Sequence, residues 1–230
     1  MNMAKRKNVL RTIGLGVGAL CALLLATGRS DAAPVTFNFS GSVSEVHGGV
    51  FTSGGSGANG FSSSLPLSGN FTFDSTTPDV LSSDPSWGLY ANPIQNLTVN
   101  VGGYTAAFSP GSSVIQVIKN PGLGDTYSLT VNGLTGNTVN GLFPTMFEVE
   151  LSSPNGNVFS NDYLPTAPPS LSSFASNQWR LIFSGAGNRV QGALTSLVPL
   201  PAAVWLFGAG LIALVGLGSR GLAQRKDSQA

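Results

Sequence analysis

The sequence is poor in the residues on which most enzymes and metal sites depend. Its 230 residues include one cysteine, one histidine and only 9% charged residues. The cysteine, Cys21, lies in an apolar run near the N-terminus, so a chain that loses this run can form neither a disulfide nor a thiolate. One histidine, His47, is too few for zinc catalysis, because a catalytic zinc ion is usually bound by several His and Cys ligands. No cofactor is therefore predicted, apart from the Ca²⁺ considered below.

Positive charge is scarce in the middle of the chain. Between residues 33 and 197, three basic and eight acidic residues give a net charge of minus five, whereas the whole chain carries plus one. Most of the positive charge therefore lies near the two ends. Nucleic-acid binding needs a basic patch, so this function is excluded for the middle segment.

Residues 1–32 have the pattern of a secretory signal peptide. An apolar run, Ile13–Ala26, follows four basic residues, and Ser30-Asp31-Ala32 predicts cleavage after Ala32. Cys21 does not fit a lipoprotein site, because Leu20 rather than a small residue precedes it. The four basic residues are Lys5, Arg6, Lys7 and Arg11.

A second apolar segment, Ala202–Gly218, contains no charged residue. As a helix it would be roughly 25 Å long, enough to cross the hydrocarbon core of a bilayer. Trp205 lies near its start, where an indole favours the membrane interface. Three basic residues follow, and the positive-inside rule places them in the cytoplasm: Arg220, Arg225 and Lys226. The segment is predicted to be a single transmembrane helix, and a permanent membrane anchor is one interpretation of it.

A proline motif, Val198-Pro199-Leu200-Pro201-Ala202, precedes this helix. Its prolines favour an extended backbone, which a membrane-embedded processing enzyme can bind. Residues 198–226 resemble the PEP-CTERM sorting signal of Gram-negative bacteria, with Leu200 where the namesake motif has Glu. Leu67–Asp79 and the run Leu97–Gly103 are similar to stretches of small PEP-CTERM proteins.

The resemblance has implications for partners and location. It implies that an inner-membrane exosortase recognises the motif after signal peptidase has removed the leader. The precursor would be held transiently at the inner membrane, and the mature protein would be exported to the cell surface or extracellular matrix. The resemblance also implies a link to biofilm, with exopolysaccharide as a candidate partner.

The segment 33–197 shows the period-two alternation of β-strands. Val35, Phe37 and Phe39 alternate with polar residues, and roughly nine short strands predict an all-β antiparallel β-sandwich or jelly roll. The stretch Ser44–Ser64, rich in Gly and Ser, predicts a long mobile loop. The clearest hairpin turns at Gly102-Gly103. Its predicted pairs are Val101 with Tyr104, Val99 with Ala106, and Leu97 with Phe108.

Two groups of carboxylates are candidate sites. Glu148 and Glu150 project from one face of a predicted strand, as a glycosidase pair would, or they simply face water. Asp74, Asp79 and Asp84 lie in a loop where hard oxygen ligands can bind Ca²⁺, or they form turns.

Aromatic side chains and the histidine offer two further candidates. Trp87, Tyr90 and Trp179 can stack on a sugar, or they belong to the core. A Ser-His-Asp hydrolase would need His47, but its Gly-x-Ser-x-Gly elbow is missing. The sequence therefore predicts a non-enzymatic, structural surface protein. A carbohydrate-binding module and a hydrolase are the alternatives.

Overall fold

The computed structural model describes residues 34–200, and these form an all-β domain. The described chain contains eleven strands and two short 3₁₀ helices, Gly48–Val50 and Leu171–Ser173. The strands are β1 (Pro34–His47), β2 (Pro66–Asp74), β3 (Trp87–Ala91), β4 (Ile94–Val101), β5 (Tyr104–Phe108), β6 (Ser113–Asn120), β7 (Gly124–Asn132), β8 (Leu134–Gly136), β9 (Pro144–Ser153), β10 (Ser176–Phe183) and β11 (Arg189–Pro199).

All eleven strands belong to one hydrogen-bonded sheet, in the order β3-β6-β7-β9-β10-β11-β1-β2-β4-β5-β8. Every pair of neighbours is antiparallel. The prediction of an all-β antiparallel domain is confirmed. Strands β1 and β11, from the two ends of the described chain, pair in the middle of the sheet. The first residues of β1 therefore lie beside the last residues of β11.

The sheet curls around its core like a half-barrel. The rings of Tyr104 on β5 and Phe183 on β10 lie 5.7 Å apart, although four strands separate them in the sheet order. Irregularities in the β1–β11 pairing fall between Ser40 and Gly41 and between Val43 and Glu45. Such bulges bend a strand and increase its twist. They account for part of the curl.

A glycine is required where the two central strands approach most closely. A Cβ on Gly192 would lie 1.9 Å from the carbonyl oxygen of Ser42. Atoms cannot approach so closely, so a larger residue would push β11 away from β1. The glycine permits the bulged pairing in the middle of the sheet.

Phenylalanines from β1 and β2 form the centre of the core. Phe37 contacts Phe71 and Phe73 edge-on, with ring centroids 5.5 and 5.3 Å apart. The ring of Phe39 stacks on that of Phe147 from β9 at 5.3 Å. These inward residues are the apolar members of the alternating pattern.

The predicted hairpin is confirmed except for one pair. The turn residues Gly102-Gly103 have φ values of +55° and +92°, as primed turns require. The pairs of Val101 with Tyr104 and Val99 with Ala106 are present. However, the ladder ends at Thr98 and Ala107, and Phe108 pairs with Leu134 of β8 instead of with Leu97.

The prediction of a long mobile loop over Ser44–Ser64 is wrong at the start of this stretch, which belongs to β1 and a 3₁₀ helix. Strand β1 continues to His47, and the side chains of Val50 and Phe61 are fully buried. Phe61 packs its ring against Tyr104 and Phe183, at 5.4 and 5.6 Å. This packing holds the Gly-rich segment against the core, a contact that its composition does not reveal.

Candidate functional site

The side of the sheet facing away from the core presents a mixed polar surface on β3, β6, β7, β9 and β10. Residues directly opposite each other on antiparallel strands share one face, so the strand pairing aligns these side chains in rows. We call this surface the outer face. Its rows are Trp87, Ile118, Thr126 and Ser152; Leu89, Gln116, Ser128, Glu150 and Gln178; and Ala91, Val114, Thr130, Glu148 and Arg180.

Arg180 is the centre of a charged network on the outer face. Its Nη1 lies 3.3 Å from Glu148 Oε2 and 3.6 Å from Glu150 Oε2, and its Nη2 donates a hydrogen bond to Gln178 Oε1. The glutamates face away from the core, as the alternation predicts, because Phe147, Val149 and Leu151 occupy the buried positions. They share one arginine on a sheet surface. This is the geometry of a surface ion-pair network.

The three aromatic residues proposed for sugar stacking do not come together. Trp87 is 40% exposed on the outer face, but Tyr90 and Trp179 are buried in the core. Positions 87 and 90 differ by an odd number, so they point to opposite faces of β3. The Tyr90 hydroxyl donates to the Asp162 carbonyl at 3.0 Å, and burial raises the pKa of Tyr90 to about 12. Of the three, only Trp87 can contact a ligand at the surface.

His47 belongs to a second polar network on β1 and β11. Its Nε2 lies 3.0 Å from Glu45 Oε2. The same carboxylate accepts a hydrogen bond from Gln191 Nε2 at 2.9 Å, and Arg189 Nε donates to Gln191 Oε1 at 2.7 Å. The hydrogen-bonding partner of His47 is thus a glutamate two residues away on the same strand. This local pair is a contact within one strand and is not part of a Ser-His-Asp triad.

The three aspartates proposed for Ca²⁺ stabilise separate turns. Asp74 Oδ1 accepts hydrogen bonds from the hydroxyl and backbone N–H of Thr76, and these lower the pKa of Asp74. Ser86 does the same for Asp84, and Asp79 Oδ1 accepts from two backbone N–H groups. Within residues 34–200, no group of three or more His, Cys, Asp or Glu side chains is placed to hold a metal ion. Of the two interpretations of these aspartates, the turn interpretation matches the structure and the joint Ca²⁺ site does not.

Sequence reasoning missed Asp125, the most deeply buried carboxylate described. Its side chain is 0% exposed. Oδ1 accepts a hydrogen bond from the N–H of Asn120, and Oδ2 accepts from Val158 and Phe159 at 2.7 and 2.9 Å. The alternation along β7 indicates this burial, because Asp125 lies on the same face of the strand as the core residues Tyr127 and Leu129. Asp125 fastens the segment after β9 to the β6–β7 hairpin.

A groove of about 390 Å³ lies where both ends of the described chain meet. Leu200 donates its N–H to the carbonyl of Thr36 at 3.0 Å, so the chain leaves the sheet beside the start of β1. The residues around the groove are mainly polar: Pro34, Thr36, Asn70, Thr72, Gln95, Asn96 and Leu200.

The predicted sorting motif is only partly within the described residues. Val198 and Pro199 are the last two residues of β11, and Leu200 follows them. In residues 34–200, none of the helices has the length and apolarity needed to cross a membrane. The other predicted targeting residues lie outside the described range: Ala32, Pro201, Ala202, Trp205, Gly218, Arg220, Arg225 and Lys226.

Comparison of the chain with protein-family models, with curated proteins and with solved structures gives no match.

Proposed function

We propose that the protein is an exported, exosortase-sorted component of the cell surface or extracellular matrix, with a structural role and no enzymatic activity. The observation that supports this proposal is that the folded domain lies in the chain between the two predicted targeting segments. Strand β1 begins at Pro34, two residues after the predicted signal peptidase position, and β11 ends at Pro199 within the proline motif. The motif, the apolar segment and the basic tail of 198–226 together favour sorting.

The proposal assigns the chain two processing partners in sequence. Signal peptidase removes residues 1–32, and the remaining precursor stays in the inner membrane through Ala202–Gly218. An exosortase then acts near the proline motif and releases or transfers the domain, which joins an exopolysaccharide-containing matrix. We also propose that the domain has a sandwich-like architecture, because β5 and β10 pack face to face through Tyr104 and Phe183.

The test is the intact mass of the protein recovered from cells with and without the exosortase. We expect a species ending near Val198–Pro201 only when the enzyme is present. A species that retains Arg225 and Lys226 in both strains would show a permanent single-pass anchor and would contradict sorting. Fractionation of the same cells should place the processed species at the surface or in the medium.

A second candidate function, glycan binding, is favoured by the exposure of Trp87 on the outer face. A tryptophan ring can stack on the apolar face of a sugar, while neighbouring amides, hydroxyls and charges hydrogen-bond its hydroxyls. Gln116 on the adjacent strand β6 and Ser128 on the next strand, β7, provide such groups, and Gln178 lies farther along the same face on β10. Because Glu148 and Glu150 outnumber Arg180, we propose a neutral glycan rather than an acidic one.

Affinity electrophoresis of the mature protein in gels containing hydroxyethylcellulose or alginate tests glycan binding. We expect retardation by the neutral polymer, and its loss in Trp87→Ala. Phe51→Ala is the matched control, because Phe51 is also exposed, at 55%, but lies off the outer face. Equal retardation of both variants, or retardation by alginate alone, would contradict a neutral-glycan site at Trp87.

A further inference from the structure

The start of the sorting motif is part of the folded sheet. Val198 pairs with Asn38 and Pro199 pairs with Phe37 in the β1–β11 ladder. The next residue, Leu200, is held by its N–H bond to the Thr36 carbonyl, 3.0 Å long. Backbone groups in these bonds are unavailable to another partner. The described part of the motif, Val198–Leu200, is therefore a paired portion held against β1.

Leu197 anchors the paired portion in the core. Its side chain is 7% exposed, whereas the neighbouring Val198 is 46% exposed and faces away from the core. Pairing between β10 and β11 covers only Arg189–Gly192, so the end of β11 pairs with β1 alone. Residues 198–200 can separate from β1 without breaking contacts to any other strand. Opening that extends further into β11 must remove the Leu197 side chain from its apolar surroundings.

A protease binds its substrate as an extended, unpaired strand. Access to the bonds around Val198 and Pro199 would require breaking the Leu200–Thr36 hydrogen bond and the pairing to β1. Local opening of a strand end is governed by the contacts that it must give up, and Leu197 makes this opening unfavourable.

We propose that the folded sheet sets the N-terminal limit of the processing site, so that cleavage occurs at or beyond the Leu200–Pro201 bond. This inference rests on the proposed sorting function. In the hydrolysis, water adds to the carbonyl carbon of the residue before the cut, the C–N bond breaks, and the amine leaves as the new N-terminus of the tail. The mature protein keeps the whole of β11, including Val198 and Pro199.

The arrangement also determines where the processing enzyme approaches. Pro34 and Leu200 both line the groove at one end of the sheet, because β1 and β11 are antiparallel and adjacent. The opposite end of this strand pair carries His47 and Arg189. An enzyme acting beyond Leu200 therefore meets the end of the domain that contains the groove, while the His47 end faces away.

Two measurements on the full chain test the inference. The first maps the C-terminus of the exosortase-processed protein by mass spectrometry, and we expect it at Leu200 or later. The second treats the purified full chain in detergent with proteinase K, and we expect a stable fragment that also ends at Leu200 or later. A wild-type C-terminus between Thr195 and Pro199 in either experiment would overturn the inference.

Matched variants show whether Leu197 causes the limit. Leu197→Asn should expose β11, and proteinase K should trim it upstream of residue 197 at least about tenfold faster, because each 1.4 kcal/mol of lost pairing raises the open population about tenfold. Val198→Asn should leave the rate unchanged. Leu197→Ala serves the same purpose if Leu197→Asn does not fold. Equal trimming of wild type and Leu197 variants would overturn the inference.

The two proposals fail in different ways. If no enzyme-dependent cut occurs in cells, sorting is contradicted. The C-terminus of the proteinase K fragment still shows whether the sheet protects β11. If the enzyme cuts within Thr195–Pro199, sorting is supported and the inference is overturned.

Discussion

Two tryptophans on opposite faces of one sheet have opposite surroundings. Trp179 on β10 is fully buried, whereas Trp87 on the edge strand β3 is 40% exposed on the outer face. Their residue type is the same, so the difference comes from which side of the strand each occupies. The inner face therefore supplies the stability of this domain, while the outer face can carry binding groups at little cost to folding.

The largest expected contrast is between Trp179→Ala and Trp87→Ala. Removing the buried ring leaves a cavity in the core, and we expect a loss of about 3–5 kcal/mol in the free energy of unfolding. Trp87→Ala should change it by less than about 0.5 kcal/mol. Urea denaturation of the two mature variants measures both. Similar losses would show that the outer face also contributes to stability.

Asp125 extends the comparison from apolar to polar core positions. Asp125→Ala leaves three backbone N–H groups without their acceptor, and we expect a loss of about 3 kcal/mol. Asp84→Ala, on an exposed turn, should cause a smaller loss. Urea midpoints and hydrogen exchange at Val158 and Phe159 report the two effects. Unchanged exchange at these amides in Asp125→Ala would contradict the anchoring role.

High pH tests the buried tyrosines of the inner face. Burial raises the pKa of Tyr90 and Tyr104 from 10.0 to about 12, and it also raises the pKa of Tyr127. In the unfolded chain these hydroxyls ionise near pH 10, so their contribution is fully present below pH 10 and is lost as the pH rises from 10 towards 12. The urea midpoint should fall over this range and fall less steeply in Tyr104→Phe. A midpoint that stays constant to pH 12 would contradict the burial.

The smallest contrast is between two tyrosines that differ in hydrogen bonding. Tyr90 donates to the Asp162 carbonyl, whereas Tyr127 OH and Trp179 Nε1 are the buried side-chain polar atoms in residues 34–200 that have no partner. Tyr90→Phe should cost about 1 kcal/mol, while Tyr127→Phe should be neutral or slightly stabilising. Thermal unfolding of both variants measures the difference. A larger loss for Tyr127→Phe would indicate that its hydroxyl has a partner.

The alternation of side chains between the two faces of each strand predicted much of this domain. It correctly placed Phe37 and Phe39 in the core and the glutamates of β9 on the opposite face. It also accounts for the burial of Trp179, for which the core was one of the two interpretations, since Trp179 alternates in phase with Leu181. Asp125 was missed, although it alternates in phase with Tyr127 in the same way.

Contacts between distant segments could not be predicted in the same way. Nothing local indicates that Phe61, in a Gly-rich stretch, packs against Phe183. Nor does the spacing of the three aspartates show that Asp74 and Asp84 accept hydrogen bonds within their own turns, or that Asp79 also accepts one from Leu89 on β3. Such outcomes depend on where the chain returns in space, so composition alone predicted a long mobile loop and left a shared Ca²⁺ site open beside the turn interpretation.

The sequence by itself determined which side chains share a face, the Gly-Gly hairpin and the targeting patterns at the two ends, because these depend on alternation, turn chemistry and short apolar runs. Only the tertiary structure decided that the first and last strands pair in the middle of the sheet. It therefore also decided that the proline motif begins inside β11. The physical reason is that strand order follows from burying all the apolar faces together, and this is a property of the whole chain rather than of any segment.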